Sequence, residues 1–179
     1  MWQIADAPHH LLLCTSTPKV IWQQNHCGIF RTVDGGETWD EVSGKNTHLP
    51  DGQGFPKYGF ALAIDEDNPD HAWVIPAQSD ERRIPVDLKL TVCQTTDGGK
   101  TWSSITSGLP TTFAFDLVLR HGLVRKENVL AFGTNNGNLY ISFNNGQEWK
   151  RVAENLAGVN CLMWSKWMTL VFSIQNQCR

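Results

Sequence analysis

The sequence predicts an all-β fold, a partial β-propeller of three four-stranded antiparallel blades followed by the start of a further blade. A threefold internal repeat carries this prediction. Thr32-Val33-Asp34-Gly35-Gly36-Glu37-Thr38-Trp39 recurs as Thr95-Thr96-Asp97-Gly98-Gly99-Lys100-Thr101-Trp102, and in altered form as Ser142-Phe143-Asn144-Asn145-Gly146-Gln147-Glu148-Trp149. Each copy reads Ser/Thr-x-Asp/Asn-x-Gly-x-x-Trp and follows two apolar residues, Ile29-Phe30, Val92-Cys93 and Leu139-Tyr140. That pattern is a hairpin: a short strand, a tight turn in which glycine takes positive φ and the Asp or Asn side chain accepts turn N–H groups, then a Trp covering the return strand. The second observation is texture, since short apolar runs alternate with turn residues throughout.

In the first unit, spanning residues 8–43, strands are expected at His10 to Thr15, Val20 to Gln23, Gly28 to Thr32 and Thr38 to Val42. The second unit, 58–107, repeats the order with Phe60 to Ile64, Ala72 to Pro76, Leu88 to Gln94 and Thr101 to Ile105. The third, 112–154, offers Phe113 to Leu119, Asn128 to Gly133, Asn138 to Ser142 and Trp149 to Val152. Each is a four-stranded meander, strands A to D, as in a propeller blade. Residues 156–179 read as an incomplete blade or closing strand, with Val159 to Trp164 a candidate inner strand and no further turn signature after it. At 179 residues the chain suits one domain.

Spacing locates the insertions. Asp34 and Asp97 are 63 positions apart, Asp97 and Asn144 47. The longer interval is assigned to Gly44 to Lys57, a D–A connection, and Ala77 to Asp87, a B–C loop. In a meander those two loop types leave one side of the sheet, opposite the C–D turns that carry the signature. The loop-rich face gathers Asn25, His26, residues 45–57, Asp80, Glu81, Arg82, Arg83 and Asn135, and ligands of such folds tend to sit on a loop-rich face near the central channel.

The signature resembles the Asp-box, or BNR repeat, of sialidases, sortilin-type receptors, photosystem assembly factors and many bacterial β-propellers. Gly59-Phe60-Ala61-Leu62-Ala63-Ile64, Asn68-Pro69-Asp70, Ala72-Trp73-Val74-Ile75-Pro76 and Ser79-Asp80-Glu81-Arg82-Arg83 look like the bacterial WD40/YVTN/BNR-like repeat proteins often labelled glycosyl hydrolase or exo-α-sialidase. The resemblance covers roughly residues 8 to 154 and corresponds to the C-terminal half of such a propeller. It implies structural roles for Thr32, Asp34, Gly36 and Trp39, for Thr95, Asp97, Gly99 and Trp102, and for Ser142, Asn144, Gly146 and Trp149. Arg83-Ile84-Pro85 resembles the Arg-Ile-Pro element that supplies a carboxylate-binding arginine in sialidases, where it precedes the boxes; here it falls between two of them. Such an enzyme also needs two further inward arginines, a Tyr/Glu nucleophile pair and an acid Asp, whereas this chain has only Tyr58 and Tyr140.

Composition narrows the function classes. Fifteen Lys and Arg against 18 Asp and Glu give a net charge of −3 without a basic cluster, which argues against a dedicated nucleic-acid or polybasic membrane surface. No apolar run approaches the roughly 18 residues of a spanning helix. Five scattered cysteines, Cys14, Cys27, Cys93, Cys161 and Cys178, do not form a disulfide framework, so a reducing cytoplasm is the expected compartment unless an upstream signal precedes these residues. His9, His10, Cys14, His26 and Cys27 lack the spacing of a zinc site, and neither metal nor cofactor is expected. Most of the eight Trp are expected between blades, Trp22 and Trp73 at equivalent B-strand positions.

Asp34 and Asp97, alone on their turns, are expected to cap backbone rather than catalyse. Asp80 to Arg83 is the densest charge group: carboxylates beside arginines suit a sugar or anion site, although solvated loop charges share that pattern. The leading expectation is a non-catalytic binding or scaffold module whose B–C and D–A loops contact a glycan, small ligand or protein. The alternative is a sialidase-type glycoside hydrolase whose remaining catalytic residues lie in further blades. Three blades leave two end faces open, so the sequence predicts closure by further blades of the same protein or by a second copy.

Overall fold

A computed structural model describes residues 8–43, 56–165 and 170–174. These residues form three four-stranded antiparallel sheets and a two-stranded hairpin. The first sheet is β1 (His10–Leu13), β2 (Ile21–Gln24), β3 (Ile29–Thr32) and β4 (Asp40–Glu41). The second is β5 (Gly59–Ile64), β6 (Ala72–Pro76), β7 (Val92–Thr95) and β8 (Ser103–Ile105), and the third is β9 (Leu123–Lys126), β10 (Val129–Gly133), β11 (Leu139–Ser142) and β12 (Lys150–Ala153). β13 (Val159–Trp164) pairs with β14 (Leu170–Ile174). Within each sheet the strands neighbour in chain order, the up-and-down meander expected of a blade.

The first strands, β1, β5, β9 and β13, contact one another in that order, β1 against β5, β5 against β9 and β9 against β13. They wall a cavity of about 710 Å³ that includes His10, Leu62, His121, Arg125, Cys161 and Trp164. The sheets stack radially around it, and the chain is a partial β-propeller. β5 and β6, in the middle sheet, are buried at every position because both faces meet a neighbour. β1 alternates instead, leaving Leu11 50% and Leu13 46% exposed on the side away from the second sheet.

Tryptophans seal the inter-sheet layers. Trp22, Trp102, Ile29, Cys14 and Cys93 share one core, while Trp73, Trp149, Phe132, Tyr140 and Leu90 share the next. The indole N–H of Trp102 donates to the Val42 carbonyl of the preceding sheet at 2.9 Å. Trp22 and Trp73 donate to Pro69 and Asn145 carbonyls of the following sheet at 3.0 and 3.1 Å. Trp39, in the first sheet, is only half-buried.

The three signature turns share one hydrogen-bond scheme. Thr32, Thr95 and Ser142 hydroxyl oxygens accept from the N–H of Gly36, Gly99 and Gly146 at 3.0, 2.9 and 3.0 Å. Those glycines sit at φ 101°, 87° and 83°, where a Cβ would be strained. The Asp34 carboxylate accepts from Thr38 N–H at 3.0 Å and from the Thr38 and Thr32 hydroxyls at 2.6 Å. Asp97 repeats this with Thr101 and Thr95, and Asn144 keeps the backbone bond from Glu148 N–H at 3.0 Å. Hydroxyls of Thr32 and Thr38 hold the Asp34 carboxyl well below the usual carboxylate range. Burial pushes Asp97 upward, but bonds from Thr101 and Thr95 outweigh it and its pKa is lowered too. Both aspartates are backbone caps.

Three expected strands depart most from the fold, while His10 to Thr15 and Thr101 to Ile105 each shorten by two residues. Phe113 to Leu119 is irregular, and the first strand of the third sheet is β9, Leu123–Lys126. Alternating Phe-Ala-Phe-Asp-Leu-Val-Leu imitates a strand, yet its backbone bonds go elsewhere: Ala114 N–H to Leu88 O, and Leu117 N–H to the Asn135 side chain. β9 is selected because a two-residue turn, with Glu127 at φ 55°, pairs Lys126 with Val129. Thr38 to Val42 shortens to Asp40–Glu41 since the Asp34 carboxylate takes the Thr38 N–H. Leu88 to Gln94 starts only at Val92, because Val86–Leu88 is a 3-10 turn with Asp87 and Leu88 at positive φ. The expected insertion at Gly44 to Lys57 lies largely outside the described residues.

Candidate functional site

Side chains from the described parts of four B–C and D–A connections meet at the end of β1 and β5; Asn135, also expected on this face, instead bonds Leu117. His9, just before β1, donates from Nδ1–H to the Gly59 carbonyl at 2.7 Å. That bond fixes the tautomer and leaves a buried Nε2 lone pair with no hydrogen-bond partner among the described residues. The ring stacks on Phe60 at 4.6 Å and meets the edge of His26 at 4.5 Å. His26 lies parallel to Tyr58 at 6.0 Å. Its presentation depends on Asn25, fully buried, whose Oδ1 accepts from Cys27 and Gly28 N–H at 2.8 and 3.1 Å and so closes the turn after β2.

The second sheet supplies the charge. Asp80 accepts from Arg83 Nη2 at 2.7 Å and from the Tyr58 hydroxyl at 3.3 Å, and its other oxygen lies 3.8 Å from His26 Nε2. Arg83 also donates from Nε to the Asp80 carbonyl at 2.9 Å, while Arg82 N–H is capped by Ser79 Oγ at 2.9 Å, which holds the loop in shape. The guanidinium groups of Arg83 and Arg120 stand 5.5 and 5.9 Å from the Phe60 ring centre. Arg83 hydrogen bonding lowers the Asp80 pKa, whereas burial followed by the Asp80 charge pushes the Tyr58 hydroxyl up to about 12. At neutral pH the cluster therefore holds a carboxylate and a neutral phenol with cationic groups at the rim.

Of the residues expected from sequence, Asn25, His26, Asp80 and Arg83 converge here, with Asn25 as the turn cap. Glu81 and Arg82 are exposed on the loop. His9, Tyr58, Phe60 and Arg120 were not legible as site residues. Tyr58 is one of only two tyrosines, a signal that could have marked it, but Arg120 follows the stretch mistaken for a strand. Among the described residues no three His, Cys, Asp or Glu side chains group so as to hold a metal ion, and no helix is long and apolar enough to cross a membrane.

A second histidine pair faces the central cavity, His10 and His121 at 4.9 Å. Burial, then the neighbouring His121, lowers the His10 pKa to about 4, and burial lowers His9 as well. An unfolded histidine titrates near 6.5, so protonation favours the unfolded chain. Stability is fully present above pH 6.5 and is lost as pH falls toward 4, by about 2 kcal/mol for His10 after allowing for solvent screening. Carboxylates with lowered pKa act only below about pH 4, outside this window. Denaturant melts between pH 7 and 4.5 should show the loss, and His10→Gln should flatten it.

No family profile and no curated protein matches the chain. Solved structures do. YCF48 from Cyanidioschyzon merolae is 23% identical, with a TM-score of 0.54, over 84% of this chain and 38% of that one. A structure described as YCF48 bound to D1 peptide gives 19% identity and a TM-score of 0.59 over 94% and 48%. The GH74 enzyme of Niastella koreensis gives 15% and 0.64 over 88% of this chain and 24% of that one. These likenesses establish a β-propeller-type fold, and the chain spans less than half the length of each of these structures.

Proposed function

We propose that this chain is part of an Asp-box β-propeller that acts as a non-catalytic binding module, taking its ligand at the His26–Tyr58–Asp80–Arg83–Arg120 cluster. The observation that carries this reading is the state of Asp80. Its carboxylate is hydrogen bonded by Arg83 and Tyr58 and kept ionised, which suits a rigid recognition surface and not a proton donor. Ligand recognition by a propeller face also has a parallel in the YCF48 structure bound to D1 peptide. Cationic Arg83 and Arg120 around a ring and a phenol favour a ligand with both negative charge and flat or apolar surface.

The fold likeness to GH74 enzymes favours glycoside hydrolysis as a second reading. One experiment separates the two. The purified chain is offered xyloglucan oligosaccharides, a fluorogenic sialoside and acidic peptides, with both release of product and binding monitored. The expected result is binding without turnover, weakened tenfold or more by Arg83→Ala, about 1.4 kcal/mol. Hydrolysis abolished by Asp80→Asn would establish the enzyme reading instead.

A further inference from the structure

The segment misread as a strand carries two side chains that folding does not use. Phe113 is 81% exposed and Phe115 51%, whereas Ala114, Asp116, Leu117 and Val118 between and after them are buried. Phe113 holds φ 51°, a region that a non-glycine residue occupies at a cost and that recurs at functional sites. The backbone beneath is fastened. Ala114 N–H bonds Leu88 O at 2.9 Å, Asp116 accepts from Thr134 Oγ1 and Asn138 Nδ2 at 2.7 Å, and Asn135 and Leu117 exchange bonds at 2.7 and 2.8 Å. Two apolar rings are thus displayed on a backbone already ordered by folding, as in interface anchors.

We propose that Phe113 and Phe115 anchor an apolar, acid-bearing segment of a partner protein that continues onto Arg120; this rests on the binding-module reading above. Two apolar rings followed by an arginine favour a protein segment with apolar and acidic side chains over a neutral sugar. The Asn136 amide donates to Phe115 O at 3.0 Å and the Asn135 amide oxygen is taken by Leu117 N–H, so each spends one polar atom on holding the segment in place. Phenyl rings bring no polar handle of their own. Among the described residues Arg120 has no carboxylate partner, and it follows Phe115 by five residues, at most about 17 Å of chain. A segment with two apolar residues and an Asp or Glu about five positions away complements that track.

The probe is a random twelve-residue phage-displayed peptide library panned on the full chain, followed by fluorescence polarisation of the enriched peptides. Enrichment of an apolar pair with a nearby acid is expected. The Phe113→Ser/Phe115→Ser variant should bind tenfold or more weakly at unchanged melting temperature, and Arg120→Gln should weaken an acidic peptide but not its Gln analogue. A lowered melting temperature in the Phe variant would show packed side chains and overturn the anchor. So would Phe-dependent binding of cello-oligosaccharides or of phosphatidylcholine/phosphatidylserine vesicles. Peptides that require Arg83 yet ignore the Phe change would overturn the anchor while sparing the module reading, and no enrichment at all would overturn the anchor alone, since the module reading also admits a glycan.

Discussion

Replacing Trp102 by alanine is expected to destabilise the chain by about 3 to 5 kcal/mol, the range of large-to-small changes in a packed core. The side chain is 4% exposed and packs edge-on to Trp22 at 6.4 Å in the layer between the first and second sheets. Its removal empties that layer and also leaves the Val42 carbonyl without the indole donor. Trp39→Ala is the internal control: the equivalent residue of the first sheet is half-buried and should cost less than half as much. Urea melts followed by circular dichroism give both values. A Trp102→Ala loss under about 1 kcal/mol would mean that the layer can collapse around the gap.

Arg125→Met is expected to cost about 3 kcal/mol, for electrostatic reasons. Arg125 and Asp65 form an ion pair at 2.7 Å between the third and second sheets, with side chains 10% and 11% exposed. The second Asp65 oxygen already accepts from Asp67 and Asn68 N–H, so that carboxylate closes the β5–β6 turn as well. Deleting the guanidinium leaves a buried charge that methionine cannot compensate, although its chain can still cover Trp73, over which Arg125 lies at 5.2 Å. The double variant Arg125→Met/Asp65→Asn should recover part of the loss, and a double-mutant cycle measures the coupling. Additive losses would show that the two groups do not support each other.

The repeat was sufficient to identify the turns. Ser/Thr, Asp/Asn, Gly and Trp at fixed offsets state a hydrogen-bond scheme within eight residues, and the same scheme recurs at Asp34, Asp97 and Asn144. Local chemistry of that kind is written in sequence because donor, acceptor and the positive-φ residue are all chain neighbours. The burial of Trp102 and Trp149 followed from it, since a return-strand indole has to cover something.

The first strand of the third sheet could not be obtained this way. Phe113 to Leu119 has better apolar alternation than Leu123–Lys126, and only partners distant in sequence, Leu88 and Asn135, remove it from the ladder. The site divides along the same line. His26, Asp80 and Arg83 could be chosen from loop position and charge, but Asn25 proved to be the cap of the turn that carries His26. His9, Tyr58, Phe60 and Arg120 join only when β1, β5 and the 106–122 connection reach one end of the stacked sheets. Sequence alone determined the fold class and its turns, because those depend on period and on neighbours within a few residues. Tertiary structure alone decided which strand completes the third sheet and which side chains share a surface, because both are contests among contacts 18 to 60 residues apart.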